Sequence, residues 1–210
     1  MSTIVLLVLA VTLLLLALGW VLYAVALRVD RLHRQVLGSR ATLEAQLVHR
    51  GQAAIDFAAT GALDPASAVL LSRAAHDALD CDGPVVEDGL DPDAADSSGQ
   101  RSRALVESDL SRVLRAVLNV QARAALTARP LAVDALARLD KACYRLVLAR
   151  RFHNTHVAEA RRLRSSVLVR CLHLAGHAPM PQTFDIDDDA APVAEPVTGT
   201  AEDPTNGGSA

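Results

Sequence analysis

The chain has 210 residues and a formal net charge of −3; 51% of its residues are hydrophobic but only 3% are aromatic. This composition, rich in Leu, Val, Ala and Arg, favours helices over sheets. With a single Lys, few aromatic side chains and no recognised module, a nucleic-acid-binding protein is not expected. The three cysteines, Cys81, Cys143 and Cys171, form no C-x-x-C pair and no disulfide framework, which fits a reducing compartment.

The first element is an uncharged apolar run of 24 residues from Ile4 to Leu27. As a helix it extends roughly 36 Å, enough to cross a hydrocarbon core of about 30 Å. A cleaved signal peptide is the alternative, since Ala24-Val25-Ala26 offers an A-x-A site. The run is longer than a signal h-region and no basic residue precedes it, so we predict a retained anchor over residues 1–27 that contacts the lipid bilayer through residues 4–27.

The charges that flank the anchor predict its orientation. Arg28, Arg31, Arg34 and Arg40 follow the run, whereas only the α-amino group precedes it. The positive-inside rule therefore predicts a single-pass protein of the cell membrane with its N-terminus outside and its C-terminal domain in the cytoplasm.

Helical periodicity continues beyond Leu27, and no Pro occurs before residue 65. The anchor is therefore expected to be the start of a longer first helix, with Gly61 as its stop. Asp64-Pro65 provides an N-cap and a Pro at N1 for a short second helix over Ala66–Leu79. Residues 81–100 are rich in Asp, Gly, Pro and Ser and predict an acidic flexible loop.

A third helix is predicted over Ser102–Ala128, ended by Pro130, and a fourth over Leu131–Leu174. Apolar residues of the fourth helix recur at alternating three- and four-residue steps, a spacing that is typical of coiled coils. The predicted seam is Leu139, Ala142, Leu146, Ala149, His153, His156, Ala160, Leu163 and Val167. The composition of residues 185–210, rich in Pro, Gly, Thr and acidic residues, predicts a disordered acidic tail.

Helices joined by short connections usually pack antiparallel. We therefore predict an all-α protein whose N-terminal transmembrane helix is continuous with an elongated antiparallel cytoplasmic helical bundle over residues 28–184. Charge is segregated along the chain: residues 101–173 hold fifteen basic and five acidic residues, and acidic stretches without bases lie on both sides. Such blocks are typical of solvated faces, tails or contact surfaces.

Residues 149–157 have the sequence ARRFHNTHV, which resembles the A-R-R-F-Y-N-x-x-V signature of the LemA family, with His153 in place of the usual Tyr. Residues 177–185 resemble its terminal F-x-P-x-P-x-F-E segment, residues 43–50 its early L-x-x-R helix, and residues 109–130 its central helix ending at a Pro. The asparagine-rich, proline-containing stretch of that family is absent from the tail. The resemblance implies a membrane helix with a short extracellular N-terminus followed by a bundle of long helices. The molecular function of that family is uncertain, so the resemblance indicates an architecture more than an activity.

Two groups of residues on the fourth helix are candidates for function. Arg150, Arg151, Phe152 and Asn154 form a possible interaction patch, in which the Arg side chains suit a carboxylate or phosphate. The alternative is structural: an interhelical salt bridge to Glu44 or Asp56, with Phe152 as a core anchor.

His153 and His156, three residues apart, are the candidates for a metal site or an enzymatic centre. The alternative is a buried polar layer. A further cluster, Arg161, Arg162, Arg164 and Arg170, suits either a solvated face or anionic lipid headgroups.

No P-loop, G-x-G-x-x-G, G-x-S-x-G or H-E-x-x-H motif occurs. We therefore predict a membrane-anchored, non-catalytic scaffold or interaction module without a cofactor or a metal. It would bind a protein partner, or a second copy of itself, through its helical faces. The alternatives are a metal-binding bundle or enzyme that uses His153 and His156, and a stalk-like structural subunit of a membrane complex.

Overall fold

A computed structural model describes residues 2–86, 102–166, 169–170 and 179–187. Over these residues the protein is helical and contains no strand. Five helices follow in chain order: α1 Ser2–Ala58, α2 Pro65–Leu79, α3 Arg103–Val117, α4 Val120–Leu126 and α5 Pro130–Arg164.

Helix α1 contains 57 residues and joins the apolar run to the rest of the structure without a break. Its most apolar window has a mean hydropathy of 3.0, and none of that window is buried against other parts of the protein. By length and composition α1 is the one helix in the described part of the chain that is able to cross a membrane. The predicted continuity past Leu27 is confirmed.

The turn between α1 and α2 has the predicted chemistry. Gly61 has a φ of 67°, a left-handed conformation that glycine adopts without steric cost. Asp64 is the N-cap of α2 and accepts a hydrogen bond from the backbone N–H of Ser67 at 3.0 Å. Pro65 occupies the first turn, where its missing N–H costs nothing.

The predicted third helix is in fact two helices. Helix α3 ends at Val117, and Asn119 takes an extended conformation and caps α4 by accepting from Ala122 N–H at 2.9 Å. An Asn side chain competes with helix continuation in this way because it satisfies the backbone of a new first turn. Helix α5 ends at Arg164, earlier than predicted; Leu174, where we expected its end, lies outside the described residues.

Helices α1 and α5 pack along much of their lengths in a regular register. Val36 clusters with Val157 and Ala160, whereas Leu43 and Leu47 cluster with Leu146 and Ala149. Farther along α1, the apolar residues from Ala54 to Ala58 join Leu139, α2 and α3 in the largest core cluster. Residue numbers thus rise along α1 while those of their partners on α5 fall.

The seam of α5 departs from the prediction after His153. Val157 is fully buried, whereas His156 is only half-buried. A step of four residues after His153 therefore follows the α-helical period better than the predicted step of three. The seam position Val167 lies outside the described residues.

Residues beside the predicted loop and tail pack on the helices. Val85 and Val86 are buried, at the start of the segment predicted as a loop, whose remainder (87–100) is outside the described range. Ile186 is also buried, so packing continues two residues beyond the predicted end of the bundle. Most of the predicted tail, residues 188–210, lies outside the described chain.

Two glycines in α1 have opposite surroundings, and they give a matched pair of predictions. A Cβ at Gly38 would meet nothing within 4 Å, so Gly38→Ala stabilises the protein by up to about 1 kcal/mol through helix propensity. A Cβ at Gly51 would lie 2.8 Å from Cδ2 and 2.9 Å from Cγ of Leu79. Displacing Leu79 costs about 1–3 kcal/mol, so Gly51→Ala destabilises the protein. Urea unfolding of both variants measures the difference, and an equal stabilisation would contradict the close contact of α1 with α2.

Candidate functional site

The three most buried charged side chains among the described residues form one ionic network between α1 and α3. Arg50, Arg103 and Glu107 are 3%, 6% and 0% exposed. Arg50 donates from Nη2 to Glu107 Oε2 at 2.5 Å and to the Glu107 carbonyl at 3.0 Å, and from Nη1 to Ser111 Oγ at 2.8 Å.

Arg103 extends the network to the residues after α2. Its Nε lies 3.4 Å from Glu107 Oε1, and its Nη1 donates to the Cys81 carbonyl at 2.5 Å. One carboxylate therefore joins two guanidinium groups, and the three side chains tie α1, α3 and the end of α2 together. A buried charge is tolerated only when it is paired and hydrogen-bonded, which is the condition that Glu107 meets for both arginines.

This network was not predicted from the sequence. Arg50 occurs in the LemA-like segment at residues 43–50, but nothing in that segment identifies its partner 57 residues away. The spacing of Arg103 and Glu107, i and i+4 on one helix, was a usable signal for an ion pair. The pattern does not distinguish a buried pair from a solvated one, since i,i+4 ion pairs are common on exposed helix faces.

The four residues of the predicted interaction patch differ in their exposure to solvent. Phe152 is 63% exposed and Arg151 is also exposed, whereas Arg150 and Asn154 are half-buried. The alternative interpretation of Phe152 as a core anchor is wrong. Only Arg151 and Phe152 of the four residues present their side chains largely to solvent.

Asn154 holds the segment that follows α5. Its Oδ1 accepts from the backbone N–H of Phe184 at 3.0 Å, and its Nδ2 donates to the Phe184 carbonyl at 3.3 Å. Phe184 is 2% exposed and packs with Leu43, Leu47 and Leu146. The side-chain amide pairs with both the N–H and the carbonyl of Phe184, so Asn154 is a structural clamp. Two of the four segments that resemble the LemA family thus contact each other.

The two histidines have different surroundings. His153 is fully buried, and its Nδ1 lies 3.0 Å from Ser39 Oγ, whose hydroxyl donates to the Val36 carbonyl at 2.8 Å. Because the Ser39 proton is engaged, His153 is assigned the tautomer that donates from Nδ1. His156 is half-buried, and its Nδ1 has no hydrogen-bond partner among the residues described.

Neither histidine belongs to a metal-ligand cluster in the described chain. No group of three His, Cys, Asp or Glu side chains is placed there to hold an ion. His156 instead lines an open cleft of about 300 Å³ between α1 and α5, together with Gln35, Gly38, Ser39, Thr42, Ala149 and Phe152. The cleft has little charge, and Phe152 forms part of its wall.

A bidentate ion pair joins α4 to α5. Arg123 donates from Nη1 and Nη2 to the two carboxylate oxygens of Asp140, both at 2.8 Å. The hydrogen bonds to Asp140 raise the pKa of Arg123 above its usual range, so the guanidinium stays charged. This fork holds the seven-residue α4 against the longer helix.

Burial raises the pKa of the Cys143 thiol above its ordinary value of 9.0, and nearby Arg50 opposes this effect. The thiolate is the reactive form of cysteine. We therefore expect iodoacetamide labelling of Cys143 to remain slow in the folded protein at a pH where the urea-unfolded chain already labels at its maximum rate. Peptide mass spectrometry across a pH series measures both rates. Coincident pH profiles for the folded and unfolded chain would contradict the raised pKa.

Compared with family models, with curated proteins and with solved structures, the chain matches none.

Proposed function

We propose that the chain is a single-pass membrane protein of the LemA type that serves as a non-catalytic scaffold or interaction module. The observation that carries this proposal is the continuity of α1. One 57-residue helix includes both the exposed apolar run and the residues on which α2 and α5 pack. Such a helix would fix the distance and the angle of the folded part of the protein relative to the membrane.

The folded part is an elongated antiparallel bundle in this proposal. The opposing order of the contacts between α1 and α5 supports it, as do the short connections from α1 to α2 and from α4 to α5. The arginines that follow Leu27 support a cytoplasmic location for the bundle.

Membership of the LemA family is part of the same proposal. Its support is the order of the four resembling segments and the contact between two of them, through Asn154 and Phe184. The buried imidazole of His153 occupies the place of the family's usual Tyr.

The surface that suits a partner is the open cleft beside Phe152. A large exposed aromatic side chain next to a shallow cleft is typical of an interface anchor. Arg151 is exposed and precedes Phe152 in the chain, so it would supply a charged, hydrogen-bonding rim to such an interface. We infer that a protein partner, or a second copy of this chain, covers this surface.

Two alternatives have less support. A metal-binding or enzymatic role would need His153, but its Nδ1 already contacts Ser39 and it faces the core. A stalk would need a single extended helical rod, and the packing of Val36 with Val157 and of Leu43 with Leu146 favours two helices side by side instead.

Membrane insertion is tested first. The full chain should remain in the membrane pellet after alkaline carbonate extraction, and a C-terminal reporter that matures only in the cytoplasm should be active. Release by carbonate would contradict the anchor, and an inactive reporter on an inserted chain would contradict the orientation alone.

The interaction surface is tested by photocrosslinking in membranes. A benzoylphenylalanine at position 152 should give a discrete product, and Arg151→Ala should weaken it. The control is the same probe at Tyr144, which is also exposed on α5 but does not line the cleft. A product of about twice the 22.2 kDa chain mass identifies self-association. Identical products from both positions, or none from position 152, would contradict the proposed surface.

A further inference from the structure

The register between α1 and α5 determines which residues of α5 lie beside the end of the apolar run. Ser39 contacts His153, Val36 packs on Val157, and Ala26 and Val29 share a cleft with Leu163 and Arg164. Continuing this register places Arg161 and Arg162 level with Asp30 and Arg31. At 1.5 Å per residue, that level is about 6 Å beyond Leu27.

Arginines from two distant parts of the sequence therefore lie at about the same distance beyond the end of the apolar run. We call this group the arginine collar; its members are Arg28, Arg31, Arg34, Arg161, Arg162 and Arg164. Most are exposed, while Arg34 pairs with Asp30 at 2.6 Å and Arg164 donates to the Pro179 carbonyl at 2.6 Å. The acidic residues near this level in the described chain are Asp30 and Glu159. The collar thus has a strong positive excess.

An apolar cleft of about 220 Å³ opens at the same height. It is lined by Ala26, Val29, Asp30, Leu32, His33, Val36, Ala160, Leu163, Arg164 and Pro181. Its walls are mostly aliphatic, and Arg164 supplies a cationic group among them. This combination fits a molecule with a hydrocarbon part and an anionic head.

We propose that the arginine collar binds the headgroups of anionic phospholipids in the leaflet into which α1 emerges. This inference rests on the proposed anchoring of α1 in a membrane. Arg pairs with a phosphate through two parallel hydrogen bonds, and an anionic surface attracts basic residues that lie within a Debye length, about 8–10 Å. The fold supplies the second half of the collar, because Arg161 and Arg162 are about 130 residues from α1's arginines in sequence.

The occupant is a lipid because of where the collar lies. A soluble anion would need a binding pocket of its own, whereas the headgroup region of the bilayer begins where the apolar run ends. The bundle then rests on the membrane through two helices, α1 and α5, and its tilt is restricted by both.

Trp20 provides an internal probe of the lipid composition around the protein. It is the only Trp of the chain, it is 72% exposed, and it lies seven residues before Leu27, about 10 Å away along the helix. The full chain is reconstituted in phosphatidylcholine vesicles that contain either brominated phosphatidylglycerol or brominated phosphatidylcholine at the same level. The ratio of the two quenching efficiencies reports the preference for the anionic lipid.

The wild-type protein should prefer phosphatidylglycerol. The double variant Arg161→Gln with Arg162→Gln should lower that preference at least about fivefold. One basic residue near an anionic surface contributes about 1 kcal/mol, which corresponds to about that factor. Arg161→Lys with Arg162→Lys should retain most of it, because Lys keeps the charge. The matched control, Arg138→Gln with Arg145→Gln, removes two exposed arginines of α5 level with residues 47–55 of α1 and should leave the preference unchanged.

Three results would overturn the proposal. They are a wild-type chain without any preference, a Gln variant that retains the wild-type preference, and a preference that appears only when the acidic residues 188–210 are deleted. The last result would mean that the arginine collar binds the chain's own acidic tail instead of lipid headgroups. If neither brominated lipid quenches Trp20, the membrane anchor itself fails, which separates that outcome from the failure of the collar.

Discussion

Glu107→Gln should lower the free energy of unfolding by about 3–5 kcal/mol. The substitution keeps the size of the side chain but leaves Arg50 and Arg103 buried without their shared carboxylate. Breaking a buried ion pair on one side has this magnitude because an uncompensated charge remains in the interior. Urea unfolding of the detergent-solubilised full chain, followed by circular dichroism, measures the loss as a shift of the midpoint.

Two controls identify the cause of that loss. Glu159→Gln removes an exposed acid of α5 and should change stability by less than about 0.5 kcal/mol. Replacing Arg50 and Arg103 with Met together with Glu107→Leu should recover most of the loss, since apolar side chains of similar volume often substitute for a buried ionic group. A triple variant as unstable as Glu107→Gln would show that packing, not unpaired charge, accounts for the loss.

Phe184→Ala should destabilise the protein by about 3–5 kcal/mol, the usual cost of removing a buried phenylalanine. Its ring is 2% exposed among Leu43, Leu47 and Leu146, at a point where the terminal segment covers both α1 and α5. The same urea titration measures it, and limited proteolysis after α5 should become faster because the segment loses its anchor.

Phe152→Ala is the matched control for this prediction. It makes the same chemical change at a ring that is 63% exposed, so the expected effect on stability is below about 0.5 kcal/mol. Equal losses for the two variants would contradict the packing of the terminal segment. A loss only at Phe152 would mean that its ring is covered in the folded protein.

Local rules account for the parts of the fold that were predicted correctly. The Asp64-Pro65 start of α2 and the left-handed Gly61 follow from capping chemistry and backbone sterics, which depend on a few neighbouring residues. The helical continuation of α1 follows from uninterrupted periodicity. The break at Asn119 was missed although Asn is a strong N-cap, because apolar residues continue on both sides of it.

Local sequence patterns did not identify which side chains are buried against other helices and which are exposed. Phe152 and Phe184 are the same residue type, yet one is exposed and the other buried, because only Phe184 is carried onto the α1–α5 pair by the Asn154 clamp. Arg50 and Arg151 are likewise the same residue type, yet Arg50 is buried beside Glu107 whereas Arg151 is exposed. These differences depend on contacts between residues far apart in sequence.

The sequence by itself determined that the chain is helical and begins with a helix able to span a membrane, because hydrophobic length and periodicity are properties of contiguous residues. Only the tertiary structure decided that Glu107 neutralises Arg50 and Arg103, that Asn154 is a clamp and not part of an exposed patch, and that Leu163 and Arg164 share a cleft with Ala26 and Val29. Each of these depends on the register between helices, which side-chain packing sets along their whole length and which no single segment encodes.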